Sequence, residues 1–139
     1  MSLDPDQAAT IPFRRRSDGT FEFCVITSLR DGRWGFPKGM VDPGDTVEET
    51  ALKESDEEAG LHGDLLSEPL GEYTYVKHVQ PLRVVVYLME VTRAASTWDE
   101  SKVRTRRWVS ADEVRALVAH PEQRRLFEVA LARLNDRPQ

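Results

Sequence analysis

Four carboxylates crowd the end of one helix-forming stretch. Ala51 to Gly60 reads ALKESDEEAG; its alanine, leucine, lysine and glutamate favour helix, and Gly60 reads as the stop. Glu54, Asp56, Glu57 and Glu58 then face the negative pole of the helix dipole, and Glu54 and Glu58 form a like-charged pair one turn apart. At about 100° per residue, Glu54, Glu57 and Glu58 share an arc of roughly 100°. That arc lies beside the apolar stripe of Val47 and Ala51. Carboxylates so close together at the rim of a buried face repel one another or take up protons. A divalent cation removes the conflict, and hard oxygen ligands suit Mg²⁺, with Mn²⁺ as a substitute. A merely acidic, solvated helix is the other reading of the same residues.

The loop in front of this helix, FPKGMVDPGD, places glycines where backbone must approach something closely, with Lys38 beside them. It is long for a strand-to-helix connection, and such loops often carry function. Asp45 reads as the helix cap, with Glu48 three residues on completing an Asp-x-x-Glu capping box. The helix then runs to about Ala59.

The elements that must position these groups follow from pattern. SDGT reads as a hairpin turn leading into a strand, FEFCVITSL, and RDGRW as a second turn. After a connection at LHGD, LGEYTYVKH and LRVVVYLMEV read as two strands, the second apolar enough to be central. RTRRWVS is a further short strand. SADEVRALVAH is a helix capped by Ser110 and Glu113, and Pro121 opens the last helix. The first residues and the tail NDRPQ read as frayed. Strands and helices mix without regular alternation, which predicts an α/β (α+β) sandwich around one mixed sheet.

Composition narrows the class. The 139 residues, 40% hydrophobic and 31% charged, suffice for one domain with a real core. The apolar run Val84 to Met89 is far short of the ~20 residues of a membrane span, and the N-terminus lacks the layout of a signal peptide. Cys24 is the one cysteine, so no intramolecular disulfide forms, which fits a reducing cytoplasm. A net charge of −5 argues against a nucleic acid polymer or a membrane surface as partner. Acids nevertheless concentrate between Asp42 and Glu58, and bases at Arg14 to Arg16 and Lys102 to Arg107. Such patches suit metal cations and a polyanion respectively, solvated faces being the alternative.

Gly39, five residues, Asp45, seven residues and then KESDEEAGL resemble the Nudix box. In that motif glycine, five residues, glutamate and seven residues precede Arg-Glu-aliphatic-x-Glu-Glu-x-Gly-aliphatic. The resemblance spans residues 39–61 and implies a Nudix-type α/β/α sandwich as a single domain over residues 1–139. It further implies a Mg²⁺-dependent hydrolase that splits a pyrophosphate link. By position, Glu54, Glu57 and Glu58 would hold metal with the Gly39 carbonyl, and Glu57 is the first choice to take the attacking water's proton. Three positions depart from the motif. Asp45 replaces glutamate, Ser55 replaces an aliphatic residue, and Lys53 replaces the arginine that orients the glutamates. Lysine lacks the planar fork, so looser order is expected at the site, with lost packing under Ser55.

PFRRR, ITSLRDGRWGFPKG, LRVVVYLMEVT, TWDES and VRTRRW are similar to the diphosphoinositol polyphosphate phosphohydrolase branch, whose members also cleave diadenosine polyphosphates. There, basic residues at the positions of Arg14, Arg30, Arg83 and Arg104, and a serine at Ser28, contact substrate phosphates. Lys38 is a further candidate. Trp98 and Trp108 can stack a base, or belong to the core like Tyr73, Tyr75 and His78. The resemblance implies a small-molecule phosphoanhydride substrate and a cytoplasmic monomer or homodimer. A hydrolase of nucleotide sugars or damaged nucleotides is one rival reading, and a non-catalytic binding or regulatory module is another.

Overall fold

The computed structural model describes residues 4–136. Chain order is β1 (Gln7–Arg15), β2 (Phe21–Thr27), β3 (Trp34–Gly35), β4 (Lys38–Met40), α1 (Val47–Ala59), β5 (Leu61–Lys77), β6 (Gln80–Ala94), β7 (Arg106–Val109), α2 (Ala111–Leu117) and α3 (Pro121–Asn135). The strands form one mixed sheet in the order β3-β2-β1-β6-β5, with β4 also pairing to β1 and β7 to β2. Among the described residues only β1 and β6 run parallel, from Gln7 opposite Val84 to Phe13 opposite Glu90. Of the ends expected to fray, residues 1–3 and 137–139 lie outside those described, while α3 continues through Asn135.

Period-two alternation on β1 and β6 sends alternate side chains into two cores. Ile11, Phe13, Val84, Val86 and Leu88 meet Phe127, Leu126 and Val114 from α3 and α2. On the opposite face, Ala8, Val85 and Tyr87 meet Ala51 of α1. The result is the α/β/α sandwich that the resemblance implied, with β6 buried on both faces as its apolar run required.

Four local expectations change. The cap of α1 is Thr46, whose hydroxyl accepts the Glu49 N–H while Glu49 accepts the Thr46 N–H; it is not Asp45 with Glu48. LHGD is the start of β5, paired to the end of β6 across a bulge at His62/Gly63, and is not a connection. The glycine-rich loop contains one short strand, β4, and another, β3, comes just before it. Ser55 does not simply lose packing under the helix: its hydroxyl lies 2.8 Å from that of Thr10 on β1 and donates to the Ala51 carbonyl at 2.8 Å. A buried hydroxyl pair thus stands where an aliphatic contact was expected, and its polar atoms are satisfied.

Candidate active site

The short strand β4 lies antiparallel to β1, with Gly39 opposite Ala8 and facing α1. A Cβ on Gly39 would come within 2.2 Å of the Glu54 carboxyl carbon, so only glycine leaves that carboxylate its place. The neighbouring Lys38 N–H donates to Glu58 Oε1 at 3.2 Å. One strand therefore sets two of the three glutamates.

The C-terminal end of α1 receives its partners from the segment after β6. Glu100 donates its backbone N–H to the Glu57 carbonyl at 3.0 Å, and Ala95 donates to that of Gly60 at 2.8 Å. The Trp98 indole N–H reaches the Glu58 carbonyl at 2.9 Å, and Arg106 reaches that of Ala59 at 2.7 Å. These donors satisfy carbonyls that a helix end leaves open, and Arg106 brings positive charge to a last turn that has no basic residue of its own. The same docking delivers Asp99 and Glu100, whose carboxylate oxygens lie with one of Glu57 all within 4.8 Å of one another. Sequence reasoning missed both as site residues. The adjacent acids of TWDES were their one signal, and nothing in their spacing ties them to the box.

Electrostatically the group is under load. Burial pushes the Glu58 carboxyl up to about 7, although Arg104 and the Lys38 amide pull it down. Burial, with Glu57 alongside, also raises Glu54. The donor set of Glu54, Glu57, Glu58, Asp99 and Glu100 is all oxygen, and its half-buried carboxylates gain from a cation, so the residues fit Mg²⁺ or Mn²⁺.

The other expected residues fall into two regions. Ser28, Arg30, Lys38, Arg83 and Arg104 share the end of the sheet that carries Gly39. Ser28 accepts the Arg30 N–H in an exposed turn, and Arg83 pairs with Glu72 at 3.1 Å. Lys38 sends its amine to the opposite face from Gly39, donating to the Tyr75 hydroxyl at 3.2 Å. Arg14 sits at the other end of β1, six residues or ~20 Å from Ala8 at ~3.3 Å per residue. It is ion-paired with Glu22 and lies 3.8 Å over the Trp108 ring. Lys53 pairs with Asp42 at 3.1 Å and Asp45 at 3.5 Å, and hydrogen-bonds none of the box glutamates. Arg104, expected on substrate phosphate, has its guanidinium on Glu58 and Glu100.

The NUDIX domain profile matches residues 5–130. The chain belongs to the NUDIX family. Among its relatives are Nudix hydrolase 21, chloroplastic, of Arabidopsis thaliana, 30% identical over 128 residues, covering 88% of this chain and 64% of that protein. The asymmetrical bis(5'-nucleosyl)-tetraphosphatase of Mus musculus is 38% identical over 91 residues, covering 58% of this chain and 61% of that protein. The chain thus spans less than two thirds of either relative's length. A solved C. elegans Ap4A hydrolase superposes with a TM-score of 0.79 at 21% identity, covering 95% of this chain and 99% of that one. That likeness establishes the Nudix fold, and the Nudix box of this chain is the Gly39–Glu54 contact and the acidic end of α1 described above.

Proposed function

We propose that this Nudix protein is a metal-dependent pyrophosphohydrolase that cleaves a phosphoanhydride bond in a small phosphate-rich molecule, such as a diadenosine polyphosphate or an inositol pyrophosphate. The observation that carries the reading is that Glu57, Asp99 and Glu100 bring their carboxylate oxygens together from two segments, beside the coupled Glu54 and Glu58, with Glu54 seated against a glycine whose missing Cβ makes room for it. The name of the mouse relative, a bis(5'-nucleosyl)-tetraphosphatase, supports the dinucleoside class.

Glu54, Glu57, Glu58, Asp99 and Glu100 would hold Mg²⁺ or Mn²⁺, with the Gly39 carbonyl as a further ligand. Such an ion would supply neutralisation of the anionic phosphate oxygens and a lowered pKa for the attacking water. Glu57, only half-buried beside Asp99 and Glu100, takes the attacking water's proton. Ser28 and Arg30 in the turn after β2, with Arg83 at the same sheet end, orient the phosphate chain through charge-assisted hydrogen bonds; Lys38, whose amine is on Tyr75 across the sheet, does so only if it turns. Arg14 reaches only a long substrate, because it stands at the far end of β1.

The deciding experiment is a product screen with Mg²⁺ and with Mn²⁺ across diadenosine polyphosphates, inositol pyrophosphates, ADP-ribose, nucleotide sugars and oxidised nucleotides. Turnover of phosphate-rich substrates well above the others is expected. Preference for nucleotide sugars or oxidised nucleotides would move the chain to the housekeeping class. Metal uptake with no turnover would make it a binding or regulatory module.

A further inference from the structure

Arg104 is held where a free ligand would find little of it. Its side chain is 11% exposed, and its nitrogens fan out to three separate segments. Nε lies 2.7 Å from Glu100 Oε1 and Nη2 lies 3.2 Å from Glu58 Oε2. Nη1 donates to the Thr27 carbonyl at the end of β2 at 2.8 Å. The backbone N–H of Arg104 also donates to the Glu100 carbonyl at 3.0 Å. One planar group therefore joins α1, the segment carrying Asp99 and Glu100, and the sheet. A guanidinium can aim at several acceptors at once, which a lysine ammonium does less rigidly. The cation inside the box, Lys53, meanwhile turns to Asp42 and Asp45.

We propose that Arg104 is a positioning residue for the metal-binding carboxylates, holding Glu58 and Glu100 at a fixed separation against their repulsion, and that this role replaces a substrate-phosphate contact. It rests on the metal-dependent reading above. The two roles differ in what they do to kinetics. A phosphate ligand affects KM, and more so as the substrate gains charge. A brace on the carboxylates affects metal affinity, and affects kcat alike for every substrate.

Arg104→Met and Arg104→Lys should be compared with the wild type by Mn²⁺ titration monitored by EPR, by thermal melts, and by kinetics on ADP-ribose and diadenosine tetraphosphate. Removing one partner of a buried pair can unfold a protein. The lysine variant, which keeps the charge without the fork, carries the test if the methionine variant does not melt cooperatively. Mn²⁺ affinity should fall roughly 10-fold in Arg104→Lys and up to roughly 100-fold in Arg104→Met. At saturating Mn²⁺, kcat should fall by a common factor on both substrates with KM little changed. Wild-type Mn²⁺ affinity in Arg104→Lys, or a KM rise that is larger for the tetraphosphate, overturns the proposal and returns Arg104 to the substrate. Absence of Mn²⁺ uptake by the wild type itself would overturn the metal reading, and this inference with it.

Discussion

In Gly39→Ala, the three atoms nearest the new Cβ all belong to Glu54, at 2.2 Å, 2.5 Å and 2.6 Å. Ordinary contact begins at 3.4 Å, so the carboxyl carbon must retreat by about 1.2 Å. Metal–ligand distances tolerate only ~0.2 Å, so on the proposed metal-dependent reading Glu54 would no longer reach the ion. A charge-assisted contact is worth about 1.5–3 kcal/mol, which corresponds to a roughly 10- to 150-fold loss of Mn²⁺ affinity. The fold should not suffer. The backbone of Gly39 lies outside the left-handed region, and alanine in a strand gains ~0.5–1 kcal/mol over glycine. An off-rotamer Glu54 costs about as much. Titration calorimetry with Mn²⁺ and a thermal melt measure the two sides separately. The decisive control is the same substitution in a Glu54→Ala background, where the clash no longer exists and Gly39→Ala should change metal affinity by less than about twofold. Equal losses in both backgrounds, or wild-type affinity in the single variant, would refute the contact between Gly39 and Glu54 as the reason for the glycine.

Glu57→Gln should lower kcat by roughly 10²–10⁴ if it takes the water's proton, with a melting temperature close to wild type; near-normal rates would remove it from that role. Thr10→Val should cost about 1 kcal/mol in urea denaturation, and Thr10→Val/Ser55→Ala should cost clearly less than the sum of the single changes, because the two hydroxyls share one hydrogen bond. For the metal-free protein, Glu58 has its folded carboxyl raised to about 7 from 4.5, so its contribution is full below pH ~4.5 and is lost as pH rises through about 7. Relative to Glu58→Gln, the wild type should therefore gain up to roughly 3 kcal/mol as pH falls across that window; parallel stability curves for the two proteins would contradict it. Lys53→Arg should leave kcat within about twofold, since the residue pairs directly with Asp42 and Asp45 and acts on Glu54 only through its charge, which arginine keeps. A large gain would mean that the longer fork reaches the glutamates.

What was legible in the sequence depended on range. The acids of α1 lie within two turns of one another, so helical geometry alone grouped them, and box spacing tied them to Gly39. β6 was legible as central because six consecutive apolar residues have no solvent face. The cap of α1 was misplaced by one residue for a simple reason. Asp45 with Glu48 and Thr46 with Glu49 both satisfy the capping-box pattern, and only the backbone at Thr46 decides between them. Asp99 and Glu100 were not legible because their place is set largely by backbone N–H groups donating to main-chain carbonyls at the end of α1, a donor that every residue but proline carries. The positive charge of Arg104 was legible and its direction was not. The same side chain can point to solvent or inward, and the choice is made by the Thr27 carbonyl and two acids from distant segments.

The acids at the end of α1 persist because two separate costs are met by one neighbouring segment. The helix dipole disfavours carboxylates there, and the segment between β6 and β7, with Arg106 at the start of β7, answers with donors to the carbonyls of Glu57, Glu58, Ala59 and Gly60, the Arg106 donor being charged. The mutual repulsion of the carboxylates is a different matter. Arg104 offsets only part of it, since Glu58 stays raised and Glu54, which does not hydrogen-bond Arg104, is raised as well. Moreover, the docking that caps the helix adds Asp99 and Glu100 to the same cluster. Stabilising the helix end does not by itself require two further acids beside three already present. Their arrival makes sense if the residual repulsion is what a divalent cation relieves on binding, so that the strain of the metal-free protein becomes part of the metal's affinity.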